Sequence, residues 1–268
     1  MSRPALLPAL LVLLLAGLLG CGEAEKTSDK SSNSQVIARA VKASSGLGMH
    51  VTSTGTVKVA GQELPISMRM SIAPSGRIKV HNVTNGIATD QYLDSRYMVM
   101  SIDTLPSTEG LPPGTRYIRM DLERIRQSEG IDSGLQDVQT MDPARVLTVF
   151  SHLKDVQNAG AGTVRGVPVT RYRAKLSLGD IAKAIDKDGK VPNLPRAVRN
   201  SVIAMELSLD GDDKLRGFSE QAAIGAMKID LTGEVTSFAD DIVVDLPSGP
   251  AVHDITSGIV DSIGQLPR

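Results

Sequence analysis

Tryptophan is absent from this chain of 268 residues, only three phenylalanines and four tyrosines are present, and cysteine occurs once. So few aromatic faces argue against a sugar-binding site or a single-strand nucleic-acid platform, which hold ligands by stacking. Excess charge is lacking too: 29 basic residues face 30 acidic ones, so no nucleic-acid surface is indicated. A lone cysteine cannot form an internal disulfide. The four histidines, His50, His81, His152 and His253, are scattered, and none sits in a nucleophile-elbow or zinc-helix context. His50 and His81 fall in predicted strands that could bring them together, but further ligands for a metal are not in sight. The acidic turns at Asp186–Gly189 and Asp210–Asp213 lack calcium-loop spacing, and hairpin turns favour Asp and Gly on conformational grounds alone. An enzyme is therefore not expected, and no cofactor is called for. The core has to be aliphatic, with part of it supplied by ten methionines, one of them the initiator.

What is present starts with export. Ala5 to Leu19 is apolar, broken only by Pro8 and Gly17, and follows a short start carrying Arg3. That is the pattern of a secretory signal. Fifteen helical residues reach about 22 Å, short of the roughly 30 Å hydrocarbon core, so a permanent span is the weaker reading. The run ends Leu18-Leu19-Gly20-Cys21, which resembles the lipobox of bacterial lipoproteins, where the cysteine thiol takes a diacylglyceryl group. The expected organisation is a signal peptide over 1–20, a lipidated tether over 21–34 and a single domain over 35–268. Stable anchoring takes more than one acyl chain, and lipoproteins of this kind carry two or three. The tether, GEAEKTSDKSSNS after Cys21, has no branched aliphatic or aromatic residue and cannot bury surface. Its flexible span is roughly 20 Å.

Beyond the tether, Gln35–Ser44 reads as a helix with Ser34 as cap and Val36, Ile37, Ala40 and Val41 on one apolar face. The period then changes to two. Leu64, Ile66, Met68, Met70 and Ile72 alternate with polar residues or proline, the signature of a half-buried antiparallel strand. Further strands are predicted at Met49–Val59, Arg77–Val83, Ile87–Leu93, Tyr97–Ile102 and Arg116–Leu122, separated by short polar or glycine turns that indicate a meander. Asp142-Pro143 opens a helix to Leu153 with Val146, Leu147, Phe150 and Leu153 as its stripe. A second hairpin turns at Arg165-Gly166 into a strand Val167–Leu178, with Tyr172, Ala174, Leu176 and Leu178 on one side. Short helices are expected at Asp180–Ile185 and Pro195–Ser201, then strands at Val202–Asp210, Lys214–Ala222 and Ala226–Ser237, and a terminal helix over Asp254–Ile263. About eleven strands with a few amphipathic helices describe an α+β fold: a large curved antiparallel sheet, an unclosed half-barrel, with helices on its concave face. The space between is the natural ligand site.

The chain at this point resembles the LppX/LprG lipoproteins, relatives of the LolA-like lipid carriers. The resemblance rests on Cys21, the helix Gln35–Ser44, Asp90-Gln91-Tyr92-Leu93 leading to Arg96–Met100, the helix from Asp142, Gly166–Tyr172 and the tail Ser237–Pro247. It implies an open half-barrel with helices against its concave side and an apolar cavity that takes acylated lipid or lipoglycan. Partners implied are that lipid, the membrane through the anchor, and an envelope transporter; the place implied is the outer side of the cell membrane.

Methionine marks the candidate cavity. Flexible thioethers fit irregular apolar ligands, and Met68, Met70, Met98, Met100, Met120, Met205 and Met227 all fall on apolar strand faces. With Ile66, Val146, Phe150, Leu176 and Leu207 they are the expected lining. The helix Asp142–Leu153 is the expected movable cover. The rival is a non-enzymatic interaction or sensor lipoprotein whose interior is filled by its own side chains.

Overall fold

The alternating segments become a single open sheet in the computed structural model, which describes residues 32–44, 46–59, 61–105, 107–127, 153–177, 179 and 200–264. Met49–Val59 (β1), Gln62–Ile72 (β2), Ile78–Thr84 (β3), Ile87–Leu93 (β4), Tyr97–Ser101 (β5) and Tyr117–Asp121 (β6) form one antiparallel meander. Lys154–Val164 (β7), Val167–Ser177 (β8), Val202–Leu209 (β9), Leu215–Ile224 (β10) and Met227–Phe238 (β11) form a second. The two are sewn together where β1 pairs with β11, from Met49 opposite Phe238 to Lys58 opposite Lys228. The order is β12-β6-β5-β4-β3-β2-β1-β11-β10-β9-β8-β7, where β12 is the short strand Val252–Asp254, parallel to β6. The ends do not meet, so the architecture is the α+β curved half-barrel expected, with twelve strands where about eleven were predicted.

The extra strand is three residues long, too short for any period to register, and it exists because β6 offers it a free edge. Other boundaries moved for local reasons. Leu122 does not extend β6 but opens the helix Leu122–Gln127 (α2 below), since the Asp121 carboxylate accepts the Arg124 N–H at 3.0 Å and caps that first turn. Ile102 begins a 3-10 turn over Ile102–Thr104. The first helix (α1) runs Ser32–Ser44, so Ser34 lies inside it and the last residues assigned to the tether are helical. Ser201, expected to end a helix, is not helical. The predicted helix over Asp142–Leu153 lies outside the described residues except for Leu153, which is not helical and is buried in the main core just before β7; the helix over Asp180–Ile185, Cys21 and the signal segment lie outside them as well.

Two tight hairpins show why the meanders hold register. Asn85-Gly86 has φ of 50° and 78°, and Arg165-Gly166 has 49° and 80°. Left-handed pairs of this kind twist in the same sense as the flanking strands.

One face of the sheet carries the main core. Met49, Val51, Met68, Met70, Val80, Met205, Leu207, Leu209, Phe218, Leu231 and Val235 are buried there. α1 lies against β7 and β10 and adds Ile37 and Ala40. It is tied down by Asn33 Nδ2 donating to the Val156 carbonyl at 3.2 Å, by the Leu215 N–H donating to Ser44 Oγ at 3.3 Å, and by an Arg39–Asp213 pair at 2.8 Å.

The opposite face is polar over β8, β9 and β11, with Arg173 on Glu206 at 2.9 Å. Over β4 to β6 it is apolar and covered by the chain that follows β11. Ile242, Val244, Leu246 and Val252 of that strap pack on Tyr92, Val99 and Tyr117. The strap is pinned where the Ala239 N–H donates to the Gly48 carbonyl at 2.9 Å, and again where the Arg116 and Tyr117 N–H groups donate to the Ala251 carbonyl at 2.8 and 3.0 Å. The terminal helix Thr256–Gly264 (α3) then docks through Thr256, fully buried, whose Oγ1 accepts the Asp121 N–H at 2.8 Å. Asp254 holds the Arg119 guanidinium through Nε at 3.1 Å and a terminal nitrogen at 2.9 Å.

Candidate functional site: the inner face of the sheet

Register places the inward residues in rows that cross the strands. One row reads Thr84, Ile66, Gly55, Leu231, Glu220, Met205 and Ala174; the next reads Thr89, Asn82, Met68, Ser53, Gly233, Phe218, Leu207 and Tyr172. Glycine has a packing reason in these rows. A Cβ on Gly233 would run into the Phe218 ring, and one on Gly55 would run into the Asp230 carbonyl and the Leu231 backbone. The large neighbours therefore lie down over the sheet where the glycines leave room.

Of the predicted lining, Ile66, Met68, Met70, Leu176, Met205 and Leu207 are buried together in one cluster, with Met98 and Met227 half-buried against it. Met100, opposite Gln91, and Met120, opposite Met98, stand on the same face toward the β6 edge. Met100 is buried and Met120 half-buried. Met98 on β5 and Met205 on β9 are seven strand spacings apart, about 34 Å along the curve, so these residues line a long surface and not a point. Val146 and Phe150 lie outside the described residues.

The face is not uniformly apolar. Ser53, Asn82, Thr89 and Gln91 are buried polar residues on the inward side of β1, β3 and β4. Asn82 Nδ2 donates to Thr84 Oγ1 at 3.1 Å, and Thr89 Oγ1 donates to the Asn82 carbonyl at 3.5 Å. More pointed is Glu220, which sequence reasoning missed. It is 8% exposed, and its Oε1 is buried with no hydrogen-bond partner among the described residues. Burial pushes its carboxyl up to about 8. Its alternation with Phe218 and Ala222 inside a predicted strand was the available signal, since that parity turns it inward.

The histidines do not meet. His50 on β1 and His81 on β3 are separated by β2; His50 Nδ1 lies 2.9 Å from Ser71 Oγ and His81 Nδ1 lies 2.7 Å from Asp90 Oδ1. Among the described residues no three His, Cys, Asp or Glu side chains are grouped to hold a metal. The His81–Asp90 pair borders a small open pocket of about 270 Å³ that also touches Ser101, Asp103, Arg116 and Tyr117, on the strap side of the sheet. The turn acids are used locally. Asp210 accepts the Asp212 and Lys214 N–H groups at 3.0 and 2.9 Å and Arg216 Nε, and these donors hold its carboxyl below the usual carboxylate range against the opposing effect of burial.

Fold and face together define an open antiparallel half-barrel with a long, methionine-bearing apolar interior. The sequence matches no protein-family model and none of the curated proteins. Among solved structures the chain is similar to LprF from Mycobacterium bovis, with 10% identity over 83% of this chain and 100% of that one and a TM-score of 0.44. It is similar to the lipoprotein LppX of Mycobacterium tuberculosis, with 13% identity over 81% and 100% and a TM-score of 0.44. A LolA superfamily protein from Nitrosomonas europaea matches at 8% identity over 81% and 96% with a TM-score of 0.28.

Proposed function

We propose that this chain is a membrane-tethered lipoprotein that holds the acyl chains of a lipid or lipoglycan against the inner face of its sheet and carries or presents them in the cell envelope. The observation that supports this best is the continuity of that face, with thioethers from Met98 on β5 through Met68 to Met205 on β9. Each buried methylene of a ligand contributes about 0.8 kcal/mol before the costs of association. The buried polar group Ser53, Asn82, Thr89 and Gln91 gives the same face hydrogen-bonding capacity for a headgroup or sugar. Anchoring is assigned to Cys21, with the domain outside the cytoplasm; among the described residues no helix is long and apolar enough to cross a membrane. An envelope transporter is the partner that a tethered carrier would load from or deliver to.

The rival, an interaction or sensor lipoprotein with a filled core, draws on one observation. Met68 and Leu231 are already 2% and 1% exposed within the chain itself. The two readings separate by native mass spectrometry with lipid extraction on protein carrying a replaced Cys21, purified without detergent from a lipid-rich host. Under the carrier reading a stoichiometric acylated species accompanies the protein and is lost when Met68, Met98 and Met205 become glutamine in a chain still folded by circular dichroism. An empty protein that also refuses added lipid selects the rival. Labelling with radioactive palmitate, abolished by Cys21→Ala, tests the anchor; label retained in that variant rejects it.

A further inference from the structure

Among the described residues, the other carboxylates with well-buried side chains are each surrounded by donors. Asp121 accepts Arg96 through Nε at 3.1 Å and a terminal nitrogen at 2.9 Å, and the Arg124 N–H at 3.0 Å. Asp210 takes two backbone N–H groups and Arg216. Glu220 takes none: its Oε1 is shut off from solvent without a partner among the described residues. Its row neighbours are Leu231 and Met205, its strand neighbours on that face are Phe218 and Ala222, and the diagonal positions are Ile203, Leu207, Ile229 and Gly233. No side chain in that ring donates a hydrogen bond.

In the regular stretches of β8 to β11 and β1 to β3, Glu220 is the one acidic or basic residue whose register turns it inward. A core built for packing alone would put an aliphatic residue there, because an unsatisfied buried polar group opposes folding. We propose that Glu220 is a polar anchor within the lipid-holding face that receives a hydroxyl carried by an uncharged lipid, either on a hydroxylated acyl chain or on a partial glyceride. The inference rests on the lipid-binding reading above.

The ligand class follows from the chemistry of the pocket wall. A neutral carboxyl offers one O–H donor and a carbonyl acceptor, and a hydroxyl completes both. A phosphate or carboxylate headgroup would find no cation in the ring around Glu220. An ammonium would need the carboxyl ionised among hydrocarbon side chains, where burial disfavours charge. A plain hydrocarbon segment would leave the group as unsatisfied as before.

The test uses the full chain in phosphatidylcholine vesicles and four photoreactive lipids with a diazirine in the acyl chain. One pair is a monoacylglycerol and its dimethyl ether; the other is a hydroxyacyl methyl ester and its methoxy counterpart. Wild-type protein is expected to crosslink the hydroxyl member of at least one pair about fivefold better than its ether, and the pair that discriminates names the source of the hydroxyl. Glu220→Gln, which still donates and accepts, keeps that preference. Glu220→Leu crosslinks both members equally while remaining folded. Equal crosslinking of both pairs by the wild type, or a preference that survives in Glu220→Leu, overturns the anchor but leaves the lipid-binding reading standing. Absence of crosslinking with all four probes overturns both.

Discussion

Replacing Glu220 by glutamine keeps the shape of the side chain and removes its titration, so it isolates the effect of burying an acid on stability. Burial raises the carboxyl from an ordinary 4.5 to about 8. Between those values the folded protein binds a proton that the unfolded chain has released, so stability falls as pH rises through this window. The slope approaches about 1.4 kcal/mol per pH unit. A gap of about 3.5 units corresponds to a loss of up to about 5 kcal/mol, complete above the folded value and absent below pH 4. At pH 7 about 3 kcal/mol of it is already lost. The glutamine variant escapes that loss. With an m-value of about 3 kcal/mol per molar, its urea midpoint at pH 7 should exceed the wild type's by about 1 M. Urea titrations of both proteins at pH 4, 5, 6, 7, 8 and 9, followed by circular dichroism, measure the difference directly, and groups common to both cancel. Midpoints that run parallel across the whole range would refute the claim that this carboxyl is buried without compensation.

Gly233→Ala forces a methyl into the Phe218 ring and should cost about 1–3 kcal/mol, read as a lower urea midpoint; Phe218→Leu in the same chain should recover part of it, and strict additivity of the two changes would contradict the contact. Gly48→Ala has no room beside the Ala239 carbonyl, Pro74 and Ile242, so the strap should lift and become cleavable by protease between residues 239 and 251 while the sheet resists; an unchanged digestion pattern argues against its pinning role. Thr256→Val removes the oxygen that accepts the Asp121 N–H, with an expected loss of about 1–3 kcal/mol and faster hydrogen exchange at that amide; protection equal to wild type there would contradict the docking described for α3.

Much of the sheet was legible because one of its faces is buried along most strands. Leu64 to Ile72 alternates over the whole of β2, and Ile66, Met68, Met70 and Ile72 are indeed buried while their neighbours lie outward. What stayed hidden depends on partners distant in sequence. β12 exists only because β6 has an unpaired side, and α2 starts where Asp121 can cap it. The start of α1 was placed late because Ser32, Asn33 and Ser34 are all good caps and the pattern alone favoured the last of them. The strap's Ile242, Val244 and Leu246 were visible as apolar, but the face they cover is made by Tyr92 and Val99 in the other half of the chain. As to the site, the methionines fell on the inward parity as expected. Glu220 was passed over because a charge in a strand is ordinarily read as facing water, although its position between Phe218 and Ala222 placed it inward.

The seam between β1 and β11 has a consequence for how the molecule comes to be folded. The longest of the neighbour pairings joins strands whose residues are separated by nearly the whole of the domain, as in Thr54 opposite Thr232. Each meander can zip locally, yet β1 keeps one side bare until the last long strand has been made and has left the ribosome or the translocation channel. The closure is a late, long-range event with a high entropic threshold. A chain cut or stalled before residue 238 would hold a complete β1–β6 meander with an open adhesive edge at its own first strand. Completion of the chain is thus the step that converts two association-prone halves into one sheet whose outermost strands are the bulged β7 and the three-residue β12.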